Sequence, residues 1–229
     1  MTRPVNQPRP YNAPSRTAGA AETRRAILRA AKEEFEARGW AATTMRSIAM
    51  SAGVSPKTVE ALFATKPALL EATLLAALGG DAAAATDTGD LAILRPEAVV
   101  ELRGEAAREI EAAPDAAAML ESTSALVFNV NARAARICWV VETAVASDER
   151  LAEIGARLTE ALRFGARRWA DVLLRKPGAR ADLTRDEAEE TFLVGIDWNT
   201  YLTLITKGDM GPDEVQAWAM RYYRRMLLA

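Results

Sequence analysis

Twenty residues, Thr44 to Phe63, constrain this chain more than any other stretch. They contain two helix starts on either side of one glycine. Thr44 precedes Met45-Arg46-Ser47-Ile48-Ala49, and Ser55 precedes Pro56-Lys57-Thr58-Val59. A hydroxyl side chain in that place accepts hydrogen bonds from the unpaired N–H groups of a first helical turn. Pro56 falls at a first helical position, where its missing N–H costs nothing. Gly53 punctuates the turn between the two helices. Upstream, Ile27, Leu28, Ala31 and Phe35 recur on one face of a helix that ends near Gly39. The packing this predicts sets Ile48, Ala49 and Val54 against Val59, Leu62 and Phe63, with Ile27, Ala31 and Phe35 completing a small three-helix core.

The rest of the chain also reads as helical. Thr65 can cap a helix from Lys66 to Gly79-Gly80, and residues 79–95, rich in Gly, Ala, Thr and Asp, read as a loop. Further helices are predicted at 96–112, 115–130, 133–146, 148–175, 184–207 and 212–227. Pro96, Pro114 and Pro212 suit first turns, Ser147 precedes Asp148 and Glu149, and Thr184 with Glu187 makes a capping box. Strand-like alternation is nowhere sustained. The fold class is therefore all-α, with nine to ten helices. The expected organisation is a disordered, basic, proline-rich arm (1–20), a helix-turn-helix domain (21–66) and a larger helical domain (67–229).

Composition removes several functions. There is no histidine, so no Ser-His-Asp or Cys-His arrangement and no HExxH zinc site can be built. Cys138 is the only cysteine, which excludes a disulfide within the chain. No catalytic motif appears, so an enzyme, a cofactor and a bound metal are not expected. No run approaches the ~20 apolar residues of a membrane span, and the polar first twenty residues are not a secretory signal. A cytoplasmic protein with no membrane partner is the expectation.

Net charge is unevenly divided. Residues 1–66 carry eleven Lys and Arg against five Asp and Glu, whereas residues 67–229 carry eighteen against twenty-six. A head of +6 on a body of −8 suits a first segment that meets a polyanion. In a helix-turn-helix the second helix enters the major groove while the first braces the backbone. That leaves Lys57, Thr58, Glu60 and Ala61 facing outward to base edges or phosphates.

The run Thr23-Arg24-Arg25-Ala26-Ile27-Leu28-Arg29-Ala30-Ala31, then Phe35, Gly39, Ala42-Thr43-Thr44, Ile48-Ala49, Ala52-Gly53-Val54-Ser55, Thr58-Val59, Phe63 and Lys66-Pro67-Ala68-Leu69-Leu70 resembles the N-terminal signature of TetR-family regulators. The resemblance covers about residues 22–75 in one register. It implies a homodimer that grips a palindromic double-stranded DNA operator, with a C-terminal domain that senses a small-molecule effector. It also implies a repressor released when the effector binds. Carried over, Thr44 and Lys66 hold phosphates, Arg46 lies near the backbone or groove edge, and Lys57, Thr58 and Ala61 take recognition positions. Two positions depart from the family: Glu60 replaces its usual aromatic, and Leu62 its usual His or Tyr. Leu62 is expected to join the core. Glu60 either pairs with Lys57 at i,i+3 or accepts a hydrogen bond from a cytosine amino group.

The helix at 148–175 carries Leu151, Ile154, Leu158, Leu162, Gly165, Trp169 and Leu173 on one stripe, and Thr191 to Ile205 is apolar nearly all round except for Asp197. A helix without a polar face must be covered on every side. Core on one side and a partner subunit on the other would satisfy it, with Leu158, Leu162, Phe192, Ile196, Asn199 and Leu202 at the dimer contact. A ligand cavity is expected along Leu126 to Val145, lined by Phe128, Arg136, Trp139 and Thr143, with Phe164 and Trp169 from the next helix. The competing readings are a helical dimeric interaction module that has lost operator binding, and a regulator that senses no small molecule.

Overall fold

The computed structural model describes residues 13–79 and 104–229. Among these residues the chain is all-helical: ten α-helices and no strand. They are α1 (Ala13–Ala42), α2 (Met45–Ser51), α3 (Pro56–Phe63), α4 (Lys66–Gly79), α5 (Gly104–Ala112), α6 (Ala116–Ala144), α7 (Glu149–Leu173), α8 (Arg185–Ile196), α9 (Trp198–Thr206) and α10 (Pro212–Leu227). No single helix among them is long and apolar enough to cross a membrane.

The local start signals act as expected. Thr44 accepts from the Ser47 N–H at 3.0 Å, and Ser55 from the Thr58 N–H at 3.1 Å. Thr184 and Glu187 form the capping box, with 3.2 Å from the Glu187 N–H to the Thr184 hydroxyl and 2.9 Å from the Thr184 N–H to the Glu187 carboxylate. Gly53 takes φ 67°, a left-handed turn that glycine enters without a Cβ penalty.

Three boundaries differ from the sequence reading. Helix α1 begins at Ala13, inside the expected arm; residues 1–12 lie outside the described residues, as do Pro96 and most of the 79–95 loop. The two helices expected at 115–130 and 133–146 are one helix of 29 residues. The gap left between them is helical as well, and Asn131 within it turns its amide inward toward the Ile196 carbonyl at 3.4 Å. The single helix expected at 184–207 is broken at Asp197. Its φ/ψ of −66°, 130° ends α8, and its carboxylate caps α9 through the Asn199 N–H at 3.2 Å. An aspartate offers the backbone that alternative wherever its neighbours allow a new first turn.

Two apolar cores result. One runs without interruption from Ile27, Phe35, Ile48, Val59 and Phe63 through α4 into the second half of α6 and the start of α7. The other joins α5, the first half of α6, the end of α7, α8 and α10 around Trp169, Phe192 and Tyr223. The head is therefore continuous in packing with the body, through α4. A charged tie adds to this: Glu71 of α4, only 2% exposed, receives Arg150 Nη2 and Nε of α7 at 3.0 and 3.2 Å.

Candidate nucleic-acid interface

The outer side of α3 is built by what α3 buries. Val59 and Phe63 sit one turn apart and point into the head core. With about 100° of rotation per residue, Lys57, Glu60 and Ala61 are then left facing out, and all three are exposed. Neither Lys57 nor Glu60 forms an ion pair among the described residues, so the expected Lys57–Glu60 pair is absent and the Glu60 carboxylate is unengaged. Leu62 corrects a second expectation. It is 36% exposed rather than part of the core, because Phe63 and Phe35 already fill the space beneath α3.

The neighbouring residues supply a rim. Thr44 and Arg46 at the start of α2 are exposed. The Ser47 N–H donates to the Thr44 hydroxyl and the Thr44 N–H to Ser47 Oγ, a reciprocal cap that fixes the first turn of α2. Thr58 is half-buried, its hydroxyl 2.8 Å from that of Ser55, so it is tied into the cap of α3.

Lys66, expected at a phosphate, is half-buried and turned back onto α1. Its ammonium donates to the Trp40 carbonyl and lies 4.0 Å from the centre of the Trp40 ring, and burial lowers its pKa from the ordinary value. Trp40 reaches this place because Gly39 has φ 71°, which bends α1 and stacks Trp40 on Phe35. Lys66 thus fastens the start of α4 to the end of α1. Lysine after α3 was legible in the sequence; its partner, twenty-six residues away, had no local signal.

The apolar interior of the body does not gather the residues expected there. A cavity of about 50 Å³ lies between α6, α7 and the α8–α9 break, lined by Leu126, Asn131, Leu158, Leu162, Trp169 and Trp198 among others. Of the six expected ligand residues only Trp169 reaches it. Trp139 is 47% exposed, and Arg136 and Thr143 lie on the same solvent-facing side of α6. Phe128 packs edge-on against Tyr201 at 6.2 Å, and Phe164 borders a polar surface groove with Arg167 and Arg168. The dimer expectations also need correction. Leu158, Phe192 and Ile196 are buried within one subunit, Phe192 between Trp169 and Tyr223. Leu162 is partly buried against both cores, and Asn199 and Leu202 remain half-exposed. The stripe read on α7 is a core stripe, and α8 packs mainly on α7 and α10, leaving Val194 exposed.

Residues 27–73 match the model of the bacterial regulatory proteins, tetR family. The N-terminal domain belongs to that family. The similarity in fold extends well beyond that segment. NalD, the secondary repressor of the MexAB-OprM multidrug efflux pump in Pseudomonas aeruginosa, is similar at TM-score 0.59 and 20% identity, over 92% of this chain and 98% of NalD. A transcriptional regulator from Rhodococcus sp. Rha1 is similar at TM-score 0.55 and 18% identity, over 89% and 95% of the two chains. A TetR family transcription regulator from Marinobacter aquaeolei VT8 is similar at TM-score 0.54 and 19% identity, over 93% and 98%. A search of curated proteins gives no match. The family is one of regulatory proteins rather than enzymes, in agreement with the absence of catalytic motifs.

Proposed function

We propose that this TetR-type regulator is a repressor that binds a palindromic operator as a homodimer and leaves it when an effector binds. The observation that carries the reading is the outer side of α3, where Lys57, Glu60 and Ala61 are exposed while Val59 and Phe63 anchor the helix from behind. Thr44 and Arg46 would supply phosphate contacts and Lys57, Thr58, Glu60 and Ala61 would meet the groove; a cytoplasmic location goes with this reading. Lys66 acts in this scheme by positioning α4, not by touching phosphate. The subunit contact would draw on Leu162, Asn199 and Leu202, together with the exposed Val194 of α8.

The test is selection and footprinting of DNA bound by the purified protein, repeated between about 50 and 200 mM salt. Two protected half-sites with centres about 34–36 Å apart are expected, with affinity falling steeply as salt rises. Salt-independent or absent DNA binding would leave the interaction-module reading instead.

One observation favours a second version of the reading, in which the interior senses nothing. The central cavity of about 50 Å³ is room for a water or two, far below the roughly 300 Å³ or more of ligand pockets. An effector seated there must first push α6, α7 and α8 apart.

A further inference from the structure

A separate groove of about 670 Å³ lies between α1, α4 and α6, away from α3. Arg25, Arg29 and Lys32 follow one another at i, i+4 and i+7, so α1 presents three cations on one wall. Arg133 of α6 stands on the other, its Nε directed at the Ala77 carbonyl at 3.4 Å, which leaves the two terminal nitrogens of the guanidinium for the groove. The floor between them is apolar and small-sided: Leu28, Ala76, Ala77 and Ala132. Two carboxylates are near, Glu22 on the rim and Glu36, which takes Lys32 at 2.8 Å. Arg25 and Arg29 have no carboxylate partner among the described residues. Cations collected around an apolar floor create a positive potential that only an anion relieves, and a low-dielectric floor strengthens its effect.

DNA is not the anion this geometry suits. Lys66 and Trp40 join the α3-proximal end of α4 to the end of α1, whereas the groove is lined by Ala76 and Ala77, about 16 Å further along α4 at 1.5 Å per residue. We propose that the groove is a binding site for an anionic amphiphile, one carboxylate or phosphate headgroup carrying an alkyl chain. The headgroup sits between Arg25, Arg29 and Arg133, and the chain lies on Leu28 and the alanines. This site is distinct from the small interior cavity, and it touches the head helix α1, the connector α4 and the body helix α6 together.

The test is titration calorimetry of the full chain with dodecanoate and with dodecyl phosphate, against dodecyl maltoside as a neutral chain and inorganic phosphate as a bare anion. One saturable site is expected for either or both alkyl anions, and none for the maltoside or for phosphate alone. Arg25→Gln/Arg29→Gln, and separately Arg133→Gln on the opposite wall, should each weaken binding by about tenfold, the usual effect of losing a charge-assisted hydrogen bond. These side chains lie outside the core, and circular dichroism checks that each variant folds. Absence of saturable binding by both anions, equal binding by the maltoside or bare phosphate, or unchanged affinity in both folded variants overturns the site. None of these measurements uses DNA, so the outcome is independent of the operator-binding reading.

Discussion

Among the described residues, ion pairs tie a larger share of the cations in the body than in the head. In the body, seven arginines are held by carboxylates: Arg150, Arg157, Arg167, Arg168, Arg180, Arg185 and Arg224, with partners that include Glu71, Glu153, Glu189, Glu111, Asp182, Asp171 and Glu121. In the head, Lys32 and Arg38 have such partners, but Arg25, Arg29, Arg46 and Lys57 have none among the described residues. Paired charges on a surface contribute little to stability and leave little field. Arg46 and Lys57, unpaired beside α3, keep their field for a polyanion, whereas Arg25 and Arg29 face the separate groove between α1, α4 and α6.

The contrast can be broken first at Arg150. Arg150→Met would leave Glu71 buried without its partner and should lower unfolding stability by about 2 kcal/mol, read by urea titration at pH 7. A negligible change would mean that the tie between α4 and α7 is a surface contact after all. On the head, Arg46→Gln/Lys57→Gln should weaken DNA binding by about tenfold and flatten the slope of log affinity against log salt by roughly two, with no change in melting temperature. A large loss of stability in that double variant would show these cations to be paired within the fold.

Glu71 offers a pH test of the same distinction. Burial, acting against Arg150, raises its pKa above the ordinary carboxylate value. The folded state then holds the proton more tightly than the unfolded one. Its contribution to stability is greatest below the usual carboxylate range and is lost as pH rises through the raised value. Glu71→Gln imitates the protonated form. Its urea midpoint should match the parent protein at about pH 4 and exceed it at about pH 7; the reverse order would show that the ion pair outweighs desolvation. Smaller still, Glu60→Gln should cost about 1 kcal/mol of discrimination at one base pair per half-site, seen by sequencing bound DNA. Smallest is Arg167→Gln, which breaks an exposed body pair: a stability change below about 0.5 kcal/mol and unaltered DNA binding are expected.

Much of the head was legible because its signals are short-range. Thr44, Ser55 and Gly53 act on atoms within four residues, and each does in the structure what its type and place require. Leu62 escaped because its fate depends on how much room Phe35 and Phe63 leave. The candidate ligand residues escaped for a related reason. Trp139 and Arg136 lie beside Val140 and Cys138 in sequence, but helix rotation turns the first two to solvent and the second two inward. Trp198, which lines the cavity and donates to Glu142 at 3.0 Å, was hidden inside what read as one unbroken helix.

From the order of residues alone came the helical class, the placing of most helix starts, the helix-turn-helix and the asymmetry of charge. Each of these depends on neighbours a turn or two apart, or on composition, and survives any arrangement of the body. Tertiary packing decided which face of each helix is covered, that Asp197 divides a helix while Asn131 does not, that Lys66 grips Trp40, and which arginines find carboxylates. Those outcomes turn on groups brought together from tens of residues away, where burial and pairing, not local preference, set the free energy.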